Sequence, residues 1–372
     1  MKIAILTFHR ANNFGAMLQA YSLVMKCREL GADAELLDWR NPFFEKIYHK
    51  AWRMHRNPIP AIKHLVWYLK DEVRARGMFA RFRDEIPKGK AIFDRKNLED
   101  ELSNYDVFIV GSDQVWNPGV MSLNPSRFDK TFFLDFVKDF DSKKYAYAAS
   151  FGDNSNFDDF LEQQFKKEWT TFHKITMREV GGAEYVSKCI GKPVDTVVDP
   201  VFLHNEDYWR RIGNSAEVEI TGKFGLLYNL RRSTLLSQIA HDIAVEKELV
   251  VKDLLIPGQC AKSTCSKIDA GPFEFLQYID KAEYVFTGSF HAAAFSIIYG
   301  KKLYVQLRKN GAEANSRMQN LFSLCDLVGT KVSEDSNTVI MFYDCSVKNS
   351  SKLEQSINNA TSILKKMTLG EF

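Results

Sequence analysis

The stretch 110–117 contains the residue types that acid–base chemistry and hydroxyl recognition need. Four of its side chains can form hydrogen bonds and lie within six residues: Ser112, Asp113, Gln114 and Asn117. The stretch follows the short apolar run 106–109, typical of a buried parallel strand, and Gly111 permits a tight turn. Open α/β sheets bind ligands at the carboxyl ends of such strands. The sequence therefore predicts either a ligand-binding loop or an ordinary polar turn in which Trp116 fills the core.

A second candidate for chemistry is His291, which ends the short stretch 288–291. This stretch follows the predicted strand 284–287 and precedes the predicted helix 292–299. The positive end of a helix dipole favours bound anions, so a histidine at this junction is suited to proton transfer beside an anionic ligand. The alternative is a structural histidine that caps the helix.

The elements that must position these residues alternate between strand and helix. The predicted strand 2–8, helix 16–30 and strand 34–38 form a βαβ unit. Its polar loop 9–15 lies at the amino end of the helix, where backbone N–H groups favour anions. This loop lacks the three-glycine dinucleotide fingerprint, so we predict no nicotinamide cofactor. The other predicted elements of the first half are strands 132–137, 144–149, 174–177 and 194–198 and helix 157–172.

The same alternation resumes after Asp199 and Pro200. The predicted elements of the second half are strands 224–230, 249–255, 284–287 and 302–307 and helices 233–247, 273–280, 292–299 and 351–367. We therefore expect two Rossmann-like α/β domains, 1–203 and 204–372, that face each other across a cleft. In that arrangement Asp113 and His291 should border the same cleft, because both follow strands at their carboxyl ends.

The segment 43–90 interrupts this alternation with an aromatic and basic composition. Its lysines and arginines outnumber its acidic residues, and Pro58 and Pro60 divide it into two predicted helices. An inserted helical pair with a solvated basic face would explain this composition. The alternative is a surface for anionic lipid or a lipid-diphosphate-linked glycan, with Trp52, Trp67 and Tyr68 at the interface.

Length and composition restrict the class of protein. The chain has 372 residues, which suits two domains, and its 45% hydrophobic and 26% charged residues are ordinary for a globular protein. A net charge of +3 is too small to indicate nucleic acid, and no apolar run approaches the ~20 residues of a membrane span. Residues 1–6 are typical of a first strand rather than a secretory signal. The six scattered cysteines fit reduced thiols in a cytoplasm, and Cys260 and Cys265 lack the second ligand pair of a zinc site.

Several stretches resemble, in chain order, the motifs of the polysaccharide pyruvyl transferase family. The residues 111–117, Gly-Ser-Asp-Gln-Val-Trp-Asn, resemble the signature of one branch of that family. The further matching stretches are 5–10, 13–16, 18–20, 147–152, 177–179, 198–200, 287–292, 295–296 and 315–317. The resemblance covers most of the chain. It implies a GT-B-like fold whose last helix packs back on the first domain.

The same resemblance implies the transfer of pyruvate from phosphoenolpyruvate to a glycan or a lipid-linked oligosaccharide, with formation of a cyclic ketal. His291 would be the acid, Arg178 and Arg317 the anion clamp, and Asp113 a base or a ligand of the acceptor hydroxyl. The other residues implied to bind substrate are Asn13, Gly15, Gln19, Ser112, Gln114, Trp116, Asn117, Ser289 and Ser316. No metal and no cofactor are expected. The protein would work in the cytoplasm, at the inner face of the membrane if the segment 43–90 meets lipid.

Three positions depart from the family pattern near His291. Gly288 stands where the family usually has Asp, and Ala292 where Gly is common. Phe290 stands where other branches have an arginine, so Arg178 or Arg317 would have to supply that charge. Two alternative functions stay open: a nucleotide-sugar-dependent glycosyltransferase on the same fold, and a non-catalytic glycan-binding protein of capsule assembly.

Overall fold

Two separate β-sheets, each covered by helices, make up the chain. The structure is a computed structural model that describes residues 1–40, 73–118, 130–138, 142–152, 159–254, 266–309, 312–346 and 350–372. Within these residues one sheet has six strands and the other has seven, and no strand is shared between them. The predicted α/β fold with two Rossmann-like halves is confirmed.

The first sheet is entirely parallel, with the spatial order β2-β1-β3-β4-β5-β6. Its strands are β1 Lys2–Leu6, β2 Asp33–Leu36, β3 Val107–Val110, β4 Lys143–Ala149, β5 Lys174–Met177 and β6 Asp195–Thr196. The helices in this half are α1 Phe14–Glu29, α2 Val73–Asp84, α3 Arg95–Asp100, α4 Asp159–Trp169 and α5 Val180–Ile190. All four residues of β3 are buried, as expected of a central strand covered on both faces.

The second sheet has the order β12-β13-β11-β10-β7-β8-β9, parallel from β11 to β9 and completed by an antiparallel hairpin. Its strands are β7 Phe224–Tyr228, β8 Val250–Leu254, β9 Ser266–Ile268, β10 Tyr284–Thr287, β11 Lys302–Arg308, β12 Thr330–Glu334 and β13 Thr338–Asp344. The helices are α6 Glu206–Gly213, α7 Thr234–Glu246, α8 Pro272–Lys281, α9 Phe290–Ile298, α10 Ala312–Leu324 and α11 Ser351–Leu369.

The chain passes from the first sheet to the second through the 3-10 turn Pro200–Leu203 and α6. The turn is buried and packs against α1, and Ser22 donates a hydrogen bond to the carbonyl of Pro200. The end of the chain returns to the first half, because the ring of Phe372 lies 6.0 Å from that of Tyr145 and beneath Lys174. Each half therefore contacts the other through more than the connecting turn.

The prediction of a strand at 132–137 is wrong. Residues Lys130–Phe133 form a 3-10 turn, and Leu134, which continues it as a turn, has a left-handed φ of 52°. The side chains of Phe132, Phe133 and Phe136 are buried, so the apolar run reflects core packing rather than a strand.

The basic segment lies partly outside the described residues, which omit 41–72 and with them Trp52, Trp67 and Tyr68. Its last part forms α2, which packs between the two halves: Phe82 lies 4.8 Å from Phe273 by ring centroids. Two of its arginines face inward. Arg81 pairs at 2.6 Å with the fully buried Glu274, and Arg83 donates to the carbonyl of His9. Both arginines therefore bind protein groups, and α2 joins the two halves, while the lipid surface expected of the whole segment stays a prediction. Among the described helices, none is long and apolar enough to cross a bilayer.

Candidate active site

A buried carboxylate, Asp199, lies where the two halves meet. It is 2% exposed, and its Oδ2 accepts hydrogen bonds from Arg178 Nη1 at 2.8 Å and Ser112 Oγ at 3.1 Å. The same oxygen faces Nε2 of His291 at 3.3 Å. Its Oδ1 accepts from the backbone N–H of Val201. Asp199 thus connects the loop after β3, the loop after β5 and the first turn of α9.

The charge of Asp199 is fixed by these neighbours. Burial alone would raise the pKa of this carboxyl, but His291 and Arg178 outweigh burial and hold its pKa below the usual range. Asp199 is therefore ionised at neutral pH. Its hydrogen bond with Nη1 fixes the direction of the Arg178 guanidinium.

Arg178 is buried and only partly satisfied. Its Nη2 donates to Ser150 Oγ at 3.0 Å, and its guanidinium carbon lies 4.7 Å above the ring of Phe290. Its Nε–H is buried and has no hydrogen-bond partner among the residues that the structure describes. A buried donor without a partner costs about 1–3 kcal/mol. An anion bound beside Arg178 would supply the missing acceptor.

A cavity of about 270 Å³ opens beside Arg178. Arg178 and Asp199 from the first half line it together with Phe290 and Arg317 from the second. Two arginines from different halves therefore line the same small cavity. Its remaining walls are mainly apolar: Val180, Val197, Val198, Phe202, Leu321 and Leu324, with Thr196, Asn320 and Ser356 as further polar groups. This composition suits a compact anion with an apolar part.

His291 is buried against the first half of the chain. A Cβ added to Gly15 would overlap the imidazole ring, so only glycine allows α1 to approach it. Ser289, not His291, caps α9, because its Oγ accepts from the N–H of Ala292 at 3.4 Å. The capping role is thus filled by a neighbour, and the ring is left to face Asp199.

The loop after β3 is held rigidly at the edge of this site. Asp113 has a φ of 77°, is half-buried, and its Oδ1 accepts from the N–H of Gln114. Its negative charge acts on Arg178. The amide of Asn117 donates to Gln114 Oε1 at 2.7 Å, and a Cβ on Gly152 would overlap that oxygen. These contacts restrain the conformation of the loop.

Trp116 does not face the cleft. It is fully buried, its indole N–H donates to the carbonyl of Phe132 at 3.1 Å, and its ring stacks on Phe133. A side chain without exposed surface has nothing to offer a ligand, so the substrate-binding role predicted for Trp116 conflicts with its placement.

Gln19 and Asn13 support the site rather than line the arginine cavity. Gln19 is fully buried, and its amide nitrogen Nε2 donates to Thr7 Oγ1 at 2.9 Å. Thr7 in turn donates to the carbonyl of Ser112. Asn13 is exposed and caps α1 through the N–H of Ala16. Both residues therefore fix the first turn of α1, which carries Gly15.

Arg317 reaches the cavity from α10. The helix is anchored because the amide of Asn315 bonds both the N–H and the carbonyl of Arg308, at 2.9 and 2.7 Å. Ser316 is half-buried on the same turn and does not line the cavity. The positive charge of Arg317 acts on Glu179.

Three residues of the site carried no role in the sequence prediction: Ser150, Glu179 and Asp199. Each directly follows a strand or lies two to three residues beyond it, which was the signal that identified Asp113. Among the described residues, no group of three His, Cys, Asp or Glu side chains could hold a metal ion. Cys260 and Cys265 lie outside the described ranges.

Two solved structures are similar to the chain. UDP-GlcNAc 2-epimerase from Neisseria meningitidis, bound to UDP-GlcNAc, is similar with a TM-score of 0.51 and 10% identity over 100% of both chains. The UDP-GlcNAc 2-epimerase of Methanocaldococcus jannaschii has a TM-score of 0.46 and 12% identity, over 97% of this chain and 100% of the other. At such identities the likeness concerns the fold alone, and the fold is GT-B-like. No curated protein sequence matches the chain.

The family model described as polysaccharide pyruvyl transferase matches residues 13–305. The matched region contains Arg178, Asp199 and His291, the three side chains that meet at the centre of the site. The chain therefore belongs to the polysaccharide pyruvyl transferase family and is a transferase.

Proposed function

We propose that the chain transfers pyruvate from phosphoenolpyruvate to a sugar of a cell-surface polysaccharide, or of its lipid-linked precursor. The observation that carries this proposal is the unpartnered Nε–H of Arg178 beside a cavity that Arg317 also lines. Phosphoenolpyruvate carries a carboxylate and a phosphate on a small apolar skeleton, which is the chemistry this cavity suits.

In the proposed reaction His291 gives a proton to C3 of the donor, and C2 becomes electrophilic. A sugar hydroxyl attacks C2 while Asp113 accepts its proton, and phosphate leaves with the electron pair of the C2–O bond. A neighbouring hydroxyl then attacks C2 and closes the cyclic ketal, and its proton passes to the released phosphate. Asp199 holds the ring of His291, and the two arginines stabilise the donor charges.

A nucleotide-sugar-dependent glycosyltransferase and a non-catalytic glycan-binding protein are the alternatives. A thermal-shift comparison separates the three, because a ligand at about 100 times its Kd stabilises the folded state by about 2.7 kcal/mol. We expect phosphoenolpyruvate to raise the Tm, and a nucleotide sugar not to do so. A rise with a nucleotide sugar or with glycan alone, and none with phosphoenolpyruvate, would reject the proposal.

We propose a lipid-linked acceptor at the inner face of the membrane, on the basic composition of the segment 43–90. Charge reversal at Arg53, Arg56, Lys63 and Lys70, which lie outside the described residues, should abolish binding to anionic vesicles. Binding of the native protein should weaken as salt rises. A native protein that ignores anionic vesicles at low salt would leave only a solvated basic face.

A further inference from the structure

Glu179 is a buried carboxyl that the proposed mechanism does not use. It is 5% exposed and directly precedes α5, yet its side chain makes no capping hydrogen bond to that helix. A short polar side chain at this position usually accepts from the free backbone N–H groups of the first turn. Here Oε1 accepts from Ser150 Oγ instead, and Oε2 has no hydrogen-bond partner within the described part of the chain. Glu179 is therefore turned toward the site.

Ser150 connects Glu179 to Arg178 in a fixed direction. Its Oγ accepts from Arg178 Nη2 and from the backbone N–H of Gly152, each at 3.0 Å. Both neighbours can only donate, so the single hydroxyl proton of Ser150 must point to Glu179. Arg178 is thus held at one end by Asp199 and at the other by Ser150, whose orientation depends on Glu179.

The charges around Glu179 make it sensitive to a bound anion. Arg178 adjoins it in the chain, Arg317 acts on it from α10, and Ser150 contacts it from the end of β4, while Asp199 and His291 lie beyond Arg178. Burial raises the pKa of Glu179, and the charges of Arg178 and Arg317 counteract that rise. An anion that engages these arginines would offset their positive charge, so the carboxyl would hold a proton more readily.

We propose that Glu179 is a positioning residue that orients Arg178 through Ser150 and takes up a proton when the anionic donor binds. The inference rests on the proposed function, because phosphoenolpyruvate is the anion concerned. Donor binding then becomes coupled to pH through a group that does not touch the donor. This role of Glu179 is separate from that of His291, which remains the proton donor of the proposed reaction.

The test is titration calorimetry with phosphoenolpyruvate in buffers of different ionisation enthalpy, which gives the number of protons taken up per donor. For each bound donor, the native protein should take up as much as about one proton more than Glu179→Gln does. Protonation of the donor itself cancels in this difference. Glu184→Gln, an exposed position on α5, is the matched control and should behave as the native protein.

Equal proton uptake by the native protein and Glu179→Gln would overturn the inference. No binding of phosphoenolpyruvate by the native protein would instead reject the proposed function. Glu179→Gln keeps the acceptor for Ser150 and mimics the protonated carboxyl, so its Kd for phosphoenolpyruvate should be equal to the native value or lower. Glu179→Ala removes that acceptor and should raise the Kd for phosphoenolpyruvate about tenfold. Equal Kd values for the two variants would contradict the positioning role.

Discussion

Gly15 lies against the imidazole ring of His291, so the first turns of α1 and α9 touch across the two halves of the molecule. A Cβ at residue 15 would overlap Nδ1 and Cγ of that ring, and the ring would have to move. Misplacing a catalytic group by about 1 Å can cost about 10²-fold in rate, so Gly15→Ala should lower kcat by about that factor.

The control for this substitution is Gly77→Ala in α2, where an added Cβ meets nothing within 4 Å. That variant should keep full activity, and it should gain up to about 1 kcal/mol of stability because alanine favours a helix over glycine. Steady-state assays with phosphoenolpyruvate and a verified acceptor provide the comparison. Unchanged activity in Gly15→Ala would show that the ring position does not matter for turnover.

Arg178→Lys should weaken donor binding while it preserves the charge. Lysine cannot bridge Asp199 and Ser150 with a planar fork, so we expect the Kd for phosphoenolpyruvate to rise by about 10–100-fold. Arg28→Lys, at a half-exposed arginine on α1, is the matched control. Arg178→Ala is less suitable, because it would leave the buried Asp199 without its cation, and breaking a buried pair costs about 3–5 kcal/mol. A native Kd in Arg178→Lys would remove Arg178 from the donor clamp.

Trp116→Phe should affect stability and not substrate affinity. The substitution removes the indole N–H that donates to the carbonyl of Phe132, which leaves a buried acceptor unsatisfied at a cost of about 1–3 kcal/mol. Denaturant unfolding measures that loss, and the KM values for donor and acceptor should stay at native levels. A rise in the acceptor KM without loss of stability would restore the substrate-binding role.

Stability should fall on mild acidification because of His204. Burial lowers the pKa of this side chain to about 4, although Glu29 lies 3.4 Å from its Nδ1. The unfolded chain, with a histidine pKa of about 6.5, binds more protons between these two pH values. The unfolding free energy should therefore decrease as pH falls from about 6.5 to 4, by about 3 kcal/mol, with no such effect above this window.

His204→Gln should remove most of that pH dependence, because glutamine does not titrate. Its amide can still donate to the carbonyl of Ser22, as Nε2 of His204 does. His241→Gln, at an exposed position on α7, should leave the dependence unchanged. Chemical unfolding across the pH range measures both variants. A pH profile of His204→Gln that follows the native one would assign the effect to another group.

The sequence predicted the alternating strands because buried parallel strands are short apolar runs, as at β3 and β10. The same criterion failed at 132–137, since a run of buried aromatic side chains under Trp116 has the same composition as a strand. The hairpin β12–β13 was missed because β12 is almost wholly exposed and polar, so no apolar alternation marks it.

Within the site, the residues that end strands could be predicted individually, but their meeting could not. The sequence analysis placed Asp199 at a candidate boundary and in a matched motif but gave it no role in the site, yet it contacts Ser112, Arg178 and His291. These contacts join residues far apart in the chain, and they depend on how the two halves pack. The ion pair of Arg81 with Glu274 could not be predicted for the same reason, because its two partners lie in different halves.

The most direct test of the central claim is to run the reaction in D₂O with phosphoenolpyruvate and an acceptor glycan. If His291 protonates C3, the methyl group of the product ketal should carry one deuterium, and one phosphate should be released for each ketal formed. NMR of the product and of phosphate measures both, and His291→Asn should slow their formation by about 10²–10⁴-fold. A His291→Asn enzyme that forms the ketal at the native rate, or a native enzyme that releases no phosphate, would contradict the account.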